Sequence, residues 1–169
     1  MFFLLVTSAM IGAYGGLLVV IPLLFNTPIS IPTSRSWRSI GSIIAASFLA
    51  LVTATLPTDP WWSNRLLHAI GGGVLASVVC FLAVRDSNVS LSKLQFFILN
   101  FLIVAALGVT NELAEFFLQT YFTISFATSV EDTWLDLTSN CIGTLLAGTV
   151  ITVFFHQKTT PTIPFHKQV

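Results

Sequence analysis

The chain has 169 residues, 54% of them apolar and only 8% charged, with seven basic and seven acidic side chains and no net charge. A soluble domain carries about 25% charged residues, so so few charges cannot cover a soluble surface of this size. Disorder needs low hydrophobicity and high net charge, and nucleic-acid binding needs a basic surface, so both are excluded and an integral membrane protein remains.

A helix crosses about 30 Å of hydrocarbon with roughly 20 apolar residues. Five segments meet that standard: 2–25, 39–56, 66–84, 94–118 and 134–155. The alternation of barrel strands is absent, and at these lengths only helices satisfy their own backbone groups in lipid. The expected fold is all-α, a polytopic membrane helix bundle of about five transmembrane helices. It forms one domain over 1–157, followed by a polar, loose tail over 158–169.

Span one carries no charge and lacks a basic n-region. Its apolar run exceeds that of a signal sequence, so it is expected to be retained. Pro22, Pro28 and Pro32 predict an irregular, partly interfacial connection to span two. The stretch 120–130 is weakly alternating and reads as an interfacial segment or a short lid. No internal repeat is evident.

Basic residues of short loops stay cytoplasmic. The loop after span one holds Arg35 and Arg38, the loop after span three holds Arg85 and Lys93, and the tail holds Lys158 and Lys167; only Arg65 lies on the other side. The predicted N-terminus is therefore outside and the C-terminus cytoplasmic, in the cell (inner or plasma) membrane. Trp61, Trp62 and Trp134 then mark the outer interface and Trp37 the inner one. Cys80 and Cys141 fall at different depths, which argues against a disulfide and for two small buried residues. The sequon Asn88-Val89-Ser90 falls on the cytoplasmic side and is discounted.

Small residues recur at helical spacing: Gly12 and Gly16, Gly41 and Ala45, Gly71 to Gly73 and Ala76, Gly143 and Ala147 with Gly148. Such spacing lets helices approach closely in lipid, and the expectation is packing within one bundle. The three glycines after His68 weaken the helix by about 1 kcal/mol each and leave room beside the imidazole.

Five of the seven carboxylates fall within residues 112–136: Glu112, Glu115, Glu131, Asp132 and Asp136. Ionisable groups inside spans are rare and expensive. The predicted topology puts Glu112 and Glu115 at the outer end of span four. Asp136 falls in the first turn of span five, with Asn140 one turn deeper, and His68 in the first turn of span three. At 100° per residue, Asn111, Glu112, Glu115 and Gln119 share a face, as do Asp132, Asp136, Ser139, Asn140 and Gly143, and also Arg65, His68, Gly72 and Ala76. The expectation is one polar pocket opening to the outside, formed by His68, Glu112, Glu115, Asp132, Asp136 and Asn140.

Carboxylates with one imidazole suit a divalent metal ion, with His68, Glu112, Glu115 and Asp136 as ligands. Crowded carboxylates also suit acid–base work or cation translocation. The structural alternative pairs Arg65 with a carboxylate and uses Asp132 as a helix cap, Asn140 as an interhelical hydrogen-bonding group and Glu131 as a solvated loop charge.

Three pieces of this pattern resemble the VanZ-like family of multi-pass membrane proteins and the related YjdF-type inner-membrane proteins. They are Arg65-Leu-Leu-His68-Ala-Ile-Gly-Gly, Asn111-Glu-Leu-Ala-Glu115-Phe-Phe-Leu-Gln119 and Asp132-Thr-Trp-Leu-Asp136-Leu-Thr-Ser-Asn140-Cys-Ile-Gly143, in order across about residues 60–150. The resemblance implies an α-helical bundle in a cell membrane and points at His68, Glu112, Glu115, Asp132, Asp136 and Asn140. Arg65 departs from the acidic or lysine-containing lead-in that often precedes the family's histidine. The family's name comes from a role in glycopeptide resistance; it supplies no biochemical activity.

The function expected is binding of a cation or of an envelope-lipid head group at the outward-facing pocket, with catalysis left open. Membrane lipid is the expected partner, in a homo-oligomer or a larger membrane complex, without nucleic acid. Two alternatives stand beside it. One is a small transporter subunit, for which the inner halves of spans three and five offer only hydroxyls such as Thr144 and Thr149. The other is a structural or accessory subunit whose polar cluster is internal glue.

Overall fold

A computed structural model of the chain describes residues 2–29, 33–56, 59–122 and 129–155. The described residues form helices and connecting turns, with no strand among them. The helices are α1 (Phe2–Leu24), α2 (Ser34–Ala54), α3 (Pro60–Leu66), α4 (Ala76–Asp86), α5 (Lys93–Phe122) and α6 (Val130–Phe154). A π-helical segment, Leu67–Leu75, joins α3 to α4 into one long rod. Five spans are thus long and apolar enough to cross a membrane, the third being Pro60–Asp86. Large apolar side chains such as Leu4, Phe48, Leu102, Phe116 and Val153 point outward. This is a lipid-facing surface around a bundle that already satisfies its backbone.

The helix ends explain where the spans begin. Thr33 and Ser36 form a reciprocal capping box, so α2 starts at Ser34. Arg35 and Arg38 therefore ride on the first turns of α2 instead of a loop. Asp59 caps α3 ahead of Pro60 at the first helical position. This moves the third span's start upstream and places His68 beyond the first turn. Ser129 accepts a hydrogen bond from the Asp132 amide at 3.2 Å and is the cap of α6. Asp132 is thus not the cap, and Asp136 sits in the second turn. Arg85 belongs to the last turn of α4, and Lys93 opens α5 with its ammonium donating to Val153 O at 3.0 Å. α1 closes with Asn26 in the left-handed region (φ 49°), Thr27 N bonding Pro22 O at 2.8 Å and Asn26 N bonding Leu23 O at 3.3 Å. That is a Schellman ending, with asparagine where glycine is usual. Residues 120–122 continue α5. Residues 123–128, Pro32 and the tail with Lys158 and Lys167 lie outside the described residues.

The apolar core lies toward the Arg85 end. Tyr14, Leu17 and Ile21 of α1 pack with Ile43, Val79, Ala83 and Phe96. Phe96 and Phe155 stack at 4.5 Å, with Phe81 edge-on to both. A buried ionic cluster fastens this end. Asp86, its side chain 1% exposed, accepts from Tyr14 Oη at 2.7 Å, from Ser39 Oγ and from Arg85 Nε at 2.9 Å, with Arg35 Nε at 3.3 Å. A buried carboxylate is tolerated only with such partners, and these come from α1, α2 and α4. Cys80 and Cys141 are free thiols.

The glycines divide into two classes. A Cβ on Gly12, Gly16, Gly41 or Gly71 would meet nothing within 4 Å, so these positions do not mediate packing within the chain. This corrects the expectation for spans one and two: Gly12, Gly16, Gly41 and Ala45 face outward. On Gly73 a Cβ would come within 2.7 Å of Asn140 O and of Gly143 Cα, and on Gly143 it would overlap the Ala69 carbonyl. The closest backbone approach is thus between the π segment and α6, while Gly108 and Gly148 give α5 and α6 a looser contact through side chains.

Candidate functional site

At the opposite end from Asp86, the third span supplies Asn64, Arg65 and His68. Glycines 71–73 weaken ordinary helix, and the backbone takes the wider i→i+5 turn from Leu67 onward. Across this wider turn His68, Gly72 and Ala76 still line one cavity, and Arg65 and His68 meet the same Asp136 oxygen. The π segment lies against α6, where Gly73 and Gly143 let the backbones meet.

Arg65 is 7% exposed and organises one side of the site. Its guanidinium donates to Asp136 Oδ1 at 2.5 Å and to Asp132 O at 3.1 Å, and it pairs with the Asp132 carboxylate. It also sits 5.6 Å from the Trp61 ring. Asn64 Nδ2 donates to the same Asp136 oxygen at 3.2 Å, and His68 Nε2 lies 3.3 Å from it. Asp136 is thereby fixed by three residues of one helix rod.

Asn140, one turn below Asp136, is wedged between two glycines. A Cβ on Gly72 would overlap its amide, and one on Gly108 would come to 3.1 Å from its Nδ2. Its Oδ1 is buried with no hydrogen-bond partner. Glu112 is buried likewise, and among the described residues its Oε1 has no hydrogen-bond partner. An unpaired buried carboxylate oxygen is costly. Donor atoms of His68, Glu112 and Asp136 lie within 4.8 Å of one another, a spacing that metal–ligand bonds of about 2.0–2.6 Å can bridge. Glu115 lies outside that triad and accepts from Asn111 Nδ2 at 2.7 Å.

A cavity of about 510 Å³ opens in front of this group. Asn64, His68, Asn111, Glu115, Asp136 and Asn140 line its polar end, while α1 and Leu107 supply apolar walls. Asp132 and Glu112 do not line it. Of the six residues singled out by sequence, the structure gathers His68, Glu112 and Asp136 tightly. It puts Glu115 and Asn140 on the cavity wall and Asp132 behind Arg65. Sequence reasoning missed Asn64, whose signal was its place one turn before His68. It also missed the Asp86 cluster, whose arginines read as topology markers.

The model of the family described as "Predicted membrane protein (DUF2238)" matches residues 3–158. No curated protein and no solved structure matches the chain.

Proposed function

The chain belongs to the DUF2238 family of predicted membrane proteins, and on that premise we propose that it binds a divalent cation between His68, Glu112 and Asp136, at a site facing out of the cell. The observation that carries this reading is the buried, partnerless Glu112 Oε1 beside an imidazole and a second carboxylate. One guanidinium, Arg65, stands against the carboxylates of Asp132, Asp136, Glu112 and Glu115, so the site has negative charge to spare. A cation offsets it, and hard oxygen with imidazole nitrogen suits Mn²⁺ or Zn²⁺. Three protein ligands leave the ion's remaining positions open. The resemblance to VanZ-like proteins, one domain over 1–157 and residence in the cell membrane belong to the same reading.

The test is calorimetric titration of the detergent-purified chain with Mn²⁺ and with Zn²⁺. One ion per chain is expected, with affinity falling as pH is lowered because protons compete for the ligands. Outer-shell partners of metal sites are worth roughly 10–100-fold in affinity, so Glu112→Gln, which removes a ligand, is expected to cost at least about 100-fold. Absence of stoichiometric binding by either ion sinks the metal site.

The orientation has its own measurement. A reporter active only outside the cytoplasm is expected to be active when fused after Phe126 and silent after Val89. The reverse pattern turns the site to the cytoplasm. The Arg65 pairing favours a second, structural reading for Asp132, whose carboxylate is spent on that ion pair.

A further inference from the structure

The cavity in front of the site is bounded by α1 on one side and α5 on the other. Among the described residues, no α-carbon of α1 comes within 8 Å of one in α5, and their side chains meet only at the Phe96 end. Both are membrane-spanning helices, so the gap between them faces lipid rather than water. Its α1 wall is apolar and small: Val6, Ala9, Met10 and Ala13. Its far end carries acceptors. Among the described residues, Asn140 Oδ1 is buried without a hydrogen-bond partner within 3.5 Å, and Glu115 accepts from the neutral amide of Asn111. No lysine or arginine lines the cavity. Arg65 is buried behind the wall, committed to Asp132 and Asp136.

We propose that this cavity takes a membrane lipid with a primary amine head, entering sideways between α1 and α5, with its ammonium against Glu115 and Asn140 and its hydrocarbon along the α1 wall. An ammonium group donates to these acceptors and brings the positive charge that no lysine or arginine on this wall supplies. An anionic head without an amine brings its charge beside Glu115 and Asp136 with no lysine or arginine on the wall to offset it. The volume falls in the range of pockets that enclose small ligands. The proposal shares the polar end with the cation reading but does not need the ion: a divalent cation at the triad still leaves Glu115 a charge to be met.

The test is native mass spectrometry of the full chain released from vesicles containing equal phosphatidylethanolamine and phosphatidylglycerol. One phosphatidylethanolamine per chain is expected, preferred at least tenfold. Glu115→Gln is expected to remove the preference, and Ala9→Trp, which fills the gap, to remove the retained lipid. Both variants should keep the thermal midpoint of the parent, and Ala9→Trp also its Mn²⁺ or Zn²⁺ binding where the parent binds either, so that loss of lipid is not loss of fold. Glu112→Gln should keep the lipid. Equal retention of the two lipids overturns the proposal, and so does retention unchanged by Ala9→Trp. Absence of metal binding with phosphatidylethanolamine retained overturns the cation reading alone.

Discussion

Arg65→Met is expected to cost on the order of 3–5 kcal/mol, because it removes from the bundle the guanidinium paired with both Asp132 and Asp136. The Asp136 side chain is 4% exposed and that of Asp132 16%, so water cannot take over the role. A loss of that size approaches the whole stability of a typical domain. The detergent-purified variant should be recovered in low yield and unfold well below the parent in a thermal melt. Adding Asp132→Asn and Asp136→Asn should restore most of the lost stability, since neutral amides need no counter-charge. A single Arg65→Met protein that melts with the parent would show that the ion cluster carries little of the fold.

The second large effect separates glycines that look alike in sequence. Gly143→Ala places a methyl into the Ala69 carbonyl, and neither backbone can move without parting α6 from the π segment. Overpacking of this kind costs about 1–3 kcal/mol. Gly12→Ala and Gly16→Ala meet nothing within 4 Å and should leave stability unchanged or raise it by up to about 1 kcal/mol through better helix propensity. The thermal midpoints of the three variants in one detergent decide the matter. Equal destabilisation by all three would place the close helix contact elsewhere.

The number of spans was legible because apolar runs of about 20 residues have few alternatives in a chain this poor in charge. The common level of His68, Glu112 and Asp136 followed from counting spans, since alternate helices begin on the same side. Caps were only partly legible. Asp132 has the chemistry of a cap, but Ser129 lies upstream, and a helix takes the first suitable cap that its packing allows. The π segment was not legible at all: glycines 71–73 announce weakness, yet a 3.6-residue period contains no instruction to widen. Neighbours were equally hidden. Gly12 and Gly143 have the same side chain and similar small-residue company, and only the fold sets one against lipid and the other against Ala69. The Asp86 cluster had no local signal, because its partners Tyr14 and Ser39 come from helices 72 and 47 residues away.

The two ionic clusters have opposite surpluses. At one end Arg35 and Arg85 outnumber Asp86; at the other a lone Arg65 faces Glu112, Glu115, Asp132 and Asp136. In an energised membrane each elementary charge carried across gains or loses about 2.3 kcal/mol per 100 mV. A chain with its Asp86 end on the negative side sits in its low-energy alignment with the field. On the proposed cation reading the voltage would then draw cations toward the carboxylate end, and occupancy of the His68–Glu112–Asp136 triad would follow the membrane's energy state as well as the side chains that form it.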